Sequence, residues 1–386
     1  MITPTPFKIQ VNDDILEHIR ARVRAYPWDL MPDDGGWAYG TSKAYLKSLC
    51  DYWVEEYDWR KAEAELNYFN HFTVEIDSIN IHFIYEKASR DASTPLLISH
   101  GWPGSIAEFK KIIEPLAHPE RFGGKSEDAF DVIAPSLPGF AYSGQPPHPY
   151  GPRKMASIFN NLMTEKLGYN SYIAQGGDWG GAISSWLGYD HASTCQAIHI
   201  NILTMRHPDG PQTPAEREWD RQFNIDQIMQ DGYRTQQATK PQTLGFAMMD
   251  SPVGIAAWII EKFNSWSDVN DNDIEAVHSK DDLLTNIMIY LTTGSFHTAS
   301  WIYYGRREEG GRIFSPEGRR VEVPTGCALF PAEMLAWPPR SYVDRLYNVT
   351  HWSEMPVGGH FAAMEQPDIL IEDIRRFARS LKQESD

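Results

Sequence analysis

Hydrophobic and polar positions divide the chain into regions of different period. From about residue 1 to 70 they mix at helical spacing and include many aromatics (Trp28, Trp37, Tyr45, Trp53, Trp59). The period then changes: residues 71–76 and 79–84 largely alternate apolar and polar around Asp77-Ser78, which predicts a β-hairpin. Short, mostly apolar runs follow at 95–99, 131–134 and 171–175, each leading into a glycine-containing turn and a helix-like stretch. Such runs suit strands buried on both faces, and their alternation with helices predicts a doubly wound, mostly parallel sheet. Between about 205 and 320 the pattern is helical without clear strands. Strand-like runs return near 322–330 and 347–352, and a helix closes the chain at 367–381. The expectation is an α/β core (91–204 and 321–386) split by a helical lid (205–320) and preceded by an N-terminal region (1–90).

Composition narrows the partners. Of 386 residues 42% are hydrophobic, ample for a sizeable core, and 35 Lys+Arg against 52 Asp+Glu leave a net charge of −17. Such a surface repels phosphate backbones and anionic lipid, so nucleic acid and membrane surfaces are poor partners. The apolar stretch Pro252–Ile260 is far short of the roughly 20 residues that span a bilayer. No membrane anchor and no basic-then-apolar leader is read at the N-terminus. Cys50, Cys195 and Cys327 are odd in number and far apart, which suits reduced thiols in a cytoplasmic protein.

The sharpest local signal is Gln175-Gly176-Gly177-Asp178-Trp179-Gly180-Gly181, after a buried strand and before an apolar helix. That is the context of a nucleophile elbow, with Gly176 and Gly180 permitting the tight turn and Asp178 in the nucleophile's place. A carboxylate there forms an ester by attacking an electrophilic carbon and is a poor choice for acyl transfer. The plainer reading is a helix N-cap aspartate in a glycine-rich loop. His100-Gly101-Trp102-Pro103-Gly104-Ser105 follows the strand at 95–99. This is where such folds supply one oxyanion-hole N–H, the residue after the nucleophile supplying the other. The backbone amides of Trp102 and Trp179 are therefore the expected pair.

Gly358-Gly359-His360-Phe361 lies late in the chain, as the order nucleophile, acid, histidine requires. Two acids compete to orient His360. Glu333 follows a late strand, whereas Asp209 follows the strand-like stretch 198–203. Glu333 is the favoured one.

In combination these segments resemble the epoxide hydrolases, specifically the microsomal and juvenile-hormone type with a dedicated N-terminal region on the α/β-hydrolase fold. The resemblance covers most of the chain, including residues 70–77, 100–105, Leu137-Pro138-Gly139-Phe140, 176–180, 250–257 and 358–363. It implies an aspartate nucleophile (Asp178), a glutamate-oriented histidine (Glu333, His360) and two lid tyrosines that bind the epoxide oxygen. Matched residue by residue, the tyrosines are Tyr233, in Gly232-Tyr233, and Tyr304, next to Tyr303. The implied product is a vicinal diol formed through an aspartyl ester, in detoxification or natural-product biosynthesis. The chain departs from the microsomal enzymes in showing no membrane anchor ahead of the N-terminal region.

A haloalkane dehalogenase would use the same aspartate but needs halide donors such as indole N–H groups in the lid. A non-catalytic binding protein on this scaffold would be expected to have lost a catalytic group. No G-x-S-x-G motif occurs, which disfavours an esterase. Phe140 and Trp258 are the aromatic residues expected to line an apolar pocket, aromatic epoxides included. No cofactor or metal is signalled, H-E-x-x-H and C-x-x-C being absent. The expected partners are a small epoxide and water, with homodimerisation left open.

Overall fold

The computed structural model describes residues 4–32, 35–91, 93–311 and 313–383. A single sheet of nine strands organises it: β1 (Thr5–Phe7), β2 (His71–Ile76), β3 (Ile79–Glu86), β4 (Thr94–Ser99), β5 (Phe130–Pro135), β6 (Tyr172–Gly176), β7 (Cys195–Ile200), β8 (Val321–Leu329) and β9 (Tyr347–Glu354). Their order in the sheet is β1-β2-β3-β5-β4-β6-β7-β8-β9. β1, β2, β3 and β5 pair antiparallel, and every pairing from β5 through β4 to β9 is parallel. The predicted hairpin is β2–β3. Asp77 and Ser78 both take positive φ (52° and 62°), the backbone that a two-residue type I′ loop requires.

The central strands β4 and β5 are apolar over most of their length because each face has its own core. Leu96 and Ile98 pack into one cluster and Leu97 into the other; Val132 and Ala134 are likewise separated from Ile133. β1 was not predicted. It is three residues long and mostly exposed, held by its ladder to β2 and carrying no apolar alternation to read.

Helices fill the stretch from Pro214 to Glu308, as expected for the lid. The helix Pro252–Trp266 starts from a Ser251 side chain that accepts the Gly254 N–H (3.0 Å), with Pro252 in the first turn. It is apolar nearly all round because it is sandwiched. The N-terminal helices Asp13–Arg24 and Lys43–Glu55 cover its outer side. Polar ties fasten the two layers: Thr41 Oγ1 to the Ala257 carbonyl (2.5 Å), Tyr52 to Asp281 (2.8 Å) and Tyr57 to Thr285 (3.1 Å). Among the described residues no single helix is long and apolar enough to cross a membrane; only the bent pair Pro241–Asp250 and Pro252–Trp266 passes by length and composition.

β4 has β5 on one side and β6 on the other, so the chain direction of winding reverses between β4 and β6. In open α/β sheets a crevice opens at that point beyond the carboxyl ends of the strands.

Candidate active site

Asp178 sits at this crevice, two residues past β6. Its φ is +46°, the left-handed backbone of a strained strand-to-helix elbow. The turn is sterically closed: a Cβ on Gly176 would lie 2.2 Å from the Gly180 carbonyl carbon, and one on Gly180 would lie 1.8 Å from the Ser99 oxygen. The N-cap is Gly177, and Asp178 is the first helical residue with no side-chain cap bond to the helix. Its Oδ1 instead accepts the backbone N–H of Trp102 at 2.7 Å. The Trp179 amide belongs to the first turn of the helix Asp178–Asp190, where N–H groups lack intrahelical acceptors.

Two late loops bring up the other charges. The loop after β8 carries Glu333 and the loop after β9 carries His360; an Ala332–Gly359 bridge, with Ala332 N–H donating to the Gly358 carbonyl (3.1 Å), ties them together. His360 Nδ1 meets both oxygens of Glu333 (2.9 and 3.0 Å), and its Nε2 lies 3.5 Å from Asp178 Oδ2. Burial pulls the imidazole pKa down, but the Glu333 and Asp178 carboxylates outweigh it and hold it well above the usual histidine value. Asp209 takes no part: it is exposed and faces His207.

Above Asp178 the lid lowers two tyrosines. Tyr233, on the helix Gly232–Thr239, stacks on the Trp102 indole (centroids 5.1 Å apart, planes 10°). Tyr303, on the helix Trp301–Glu308, stands edge-on to Trp179 (4.8 Å) and to Tyr233 (5.7 Å). Burial, and then neighbouring charges that include Asp178, push both phenols upward, so both remain O–H donors. The Tyr303 hydroxyl is buried without a hydrogen-bond partner.

Three sequence expectations are corrected here. The structure brings Tyr303 to the site and leaves Tyr304, about 100° further round the same helix, half-buried outside it. Phe140 is buried edge-on against His100, beneath the crevice. Trp258 donates its indole N–H to Gln237 inside the lid (3.0 Å). Neither lines the cavity over Asp178.

That cavity measures about 110 Å³ and is walled by Asp178, Trp179, Tyr233, Tyr303 and the apolar Ile202, Phe223, Ile313, Met334 and Leu335, with Arg206, Arg234 and Arg306 at its polar side. A second cavity of about 20 Å³, enough for one water, lies on the other side of the carboxylate between His360, Gln175, Asn201 and Glu108.

Residues 4–109 match the family described as epoxide hydrolase N terminus, and residues 94–253 match the alpha/beta hydrolase fold. Epoxide hydrolase 1 of Sus scrofa is 35% identical, over 98% of this chain and 89% of its own length. The solved structure of Aspergillus niger epoxide hydrolase superposes with a TM-score of 0.85 at 30% identity, covering 98% of this chain and 97% of that one. Juvenile hormone epoxide hydrolase from Bombyx mori superposes with a TM-score of 0.88 at 28% identity, covering 100% and 96%. This chain belongs to the epoxide hydrolases.

Its fold is accordingly the α/β-hydrolase fold, and it is an enzyme that hydrolyses the ether bond of an epoxide. Around the site this epoxide hydrolase has two further carboxyl groups, Glu108 and Glu365, that are not among the sequence expectations. Glu108, beside the small cavity, is pushed up to about 8 by burial, with the Gly101 and Ser105 amides acting the other way. Its signal was Ser105-x-x-Glu108, a capping-box spacing at the start of a short helix. Glu365 accepts the N–H groups of Gly359 and Phe361 (3.0 and 2.9 Å), bracketing His360 and fixing its loop. No pattern in the sequence marks Glu365.

Proposed function

We propose that this epoxide hydrolase works through a covalent ester on Asp178. Tyr233 and Tyr303 donate to the epoxide oxygen. Asp178 Oδ2 attacks a ring carbon from the far side; the C–O bond of the ring breaks and the oxygen takes a phenolic proton. Oδ1 becomes the ester carbonyl oxygen, already facing the Trp102 N–H. Ester formation removes the Asp178 charge that helps hold the His360 proton, so that proton is released to restore the tyrosine that gave its own to the ring oxygen, and the imidazole becomes a base just when one is needed.

His360 Nε2 then takes a proton from a water in the small cavity, and the hydroxide adds to the carbonyl carbon. The Trp102 and Trp179 amides receive the oxyanion. Collapse expels the alkoxide, which takes the proton of the added hydroxyl to give the vicinal diol and leaves Asp178 as the carboxylate; His360, protonated again by the water, is back in its starting state. The site thus uses one epoxide and one water, and the apolar walls of the main cavity favour an apolar substrate body.

The observation that carries this reading is the division of Asp178: one oxygen on the Trp102 amide, the other toward His360 and beneath two phenols. Phenolic O–H donors fit an epoxide oxygen better than a departing halide. Intact-mass analysis of His360→Gln after exposure to styrene oxide tests it. The expected result is an adduct equal to one epoxide, mapped to the Asp178 peptide. A folded variant that stays unmodified overturns the scheme.

A further inference from the structure

Arg306 is anomalous among the three arginines of the main cavity. Arg234 is held by Asp231, and Arg206 donates to the Leu203 and Met205 carbonyls while lying over Trp219 and Phe223. The Arg306 side chain makes no hydrogen bond and no ion pair among the described residues, and its Nε is buried without a partner. Burial and the nearby Arg234 both act against its charge. A guanidinium nevertheless stays charged in proteins, and a charge whose buried Nε–H has no acceptor is costly to keep.

Available anions do not answer it. Asp231 is engaged by Arg234, and Glu309, which walls a neighbouring cavity together with Arg306, accepts the Arg153 and Lys154 amides (3.1 and 3.0 Å). The position of Arg306 is nonetheless well defined. It lies three residues after Tyr303, on the same helix face, and its guanidinium carbon is 5.8 Å from the centre of the Trp179 ring. The two residues therefore start about 4.5 Å apart along the helix axis, and both wall the cavity over Asp178. It also walls a further cavity of about 190 Å³ beyond it, next to Phe314 and Pro316.

We propose that Arg306 selects epoxides carrying a carboxylate, which it binds as an ion pair while the oxirane lies between Asp178 and the two tyrosines. This deepens the function proposed above and rests on it for the placement of the oxirane. A planar carboxylate matches the guanidinium fork bidentately, and pairing compensates the buried charge only when substrate is present. The substrate class is thus an apolar body with an acid group a short distance from the epoxide.

The test uses 3-(oxiran-2-yl)benzoate and its methyl ester with the wild type, Arg306→Met and Arg306→Lys. The expected wild type prefers the acid by at least about 10-fold in kcat/KM. Arg306→Met should lose that preference through a rise in KM for the acid alone, the ester staying within about 3-fold, and Arg306→Lys should recover part of it. Binding of 3-vinylbenzoate and its methyl ester, read by tryptophan fluorescence, repeats the comparison without any ring opening. It separates the two proposals, because the ester mechanism fails on the His360→Gln adduct and this one fails on binding. A wild type indifferent to the charge, or an Arg306→Met variant that weakens acid and ester alike, overturns the assignment.

Discussion

Gly101 touches Asp178 where a side chain would go: a Cβ on Gly101 would stand 2.0 Å from Asp178 Oδ1 and 2.4 Å from its Cβ. The missing side chain is the space in which the Asp178 carboxylate lies. Gly101→Ala should therefore push the carboxylate off the Trp102 amide and lower the single-turnover alkylation rate by about 100-fold, as an ångström-scale misplacement does. Rapid-quench measurement of ester formation checks this; an alanine variant that alkylates at the wild-type rate would contradict the packing.

Adjacent tyrosines allow a clean comparison. Tyr303→Phe removes a donor proposed for the epoxide oxygen and should slow alkylation by roughly 100-fold or more. Tyr304→Phe, on the neighbouring helix face, should stay within about 2-fold. Parallel pre-steady-state assays on the two variants decide it, and equal losses would mean that the lid helix is rotated from the position described.

Glu333→Gln keeps the shape of the orienting group and discards its charge. His360 then loses its largest favourable partner, so the hydrolytic half-reaction should slow by roughly 100- to 10,000-fold while ring opening persists. Acid-quenched samples should contain accumulating ester. Asp209→Asn, the rejected alternative, should leave both half-reactions within about 2-fold.

Stability should fall as pH drops below 6.5, and a histidine pair between the N-terminal strands and the core is one reason. His71 Nε2 donates to the Leu66 carbonyl (2.7 Å), so its Nδ1 accepts from His82 Nε2 (2.9 Å), and His82 Nδ1 in turn accepts from Ser136 (2.9 Å). A proton on either free nitrogen would set N–H against a donor. Burial holds both pKa values below the ordinary 6.5. Below that pH the unfolded chain binds protons that the fold refuses, costing up to about 1.4 kcal/mol per pH unit for each histidine. Urea midpoints at pH 7.5, 6 and 5 should decline, and His71→Gln/His82→Gln should show a lower midpoint at pH 7.5 with a flatter decline. A double variant with the wild-type slope would rule the pair out.

What could be read in the sequence was what depends on local pattern. Strands β4, β5 and β6 stand out because both sheet faces are buried, and the elbow stands out because its turn tolerates only glycine at Gly176 and Gly180. His360 and Glu333 follow from chain order. What escaped depends on how elements meet. Tyr303 and Tyr304 are neighbours, and only the rotation of their helix against the core says which faces Asp178. Phe140 and Trp258 are aromatic, but hydrophobicity does not say what each packs against, and neither lines the cavity over Asp178. Arg306 stands in the run Arg306-Arg307-Glu308-Glu309, whose mixed charge by itself suits a solvated surface; the isolation of its side chain exists only once the lid is seated.

The N-terminal helices do more than cover apolar surface. With Arg22 reaching Asp250, Thr41 reaching Ala257, Tyr52 reaching Asp281 and Tyr57 reaching Thr285, they brace the lid along its outer side at several points. A roof fixed in this way does not swing aside for each turnover. Reactants and diols pass through an aperture of set size, so bulk is sorted at entry: oversized epoxides should be penalised in the rate of capture, while those that get through react at ordinary speed.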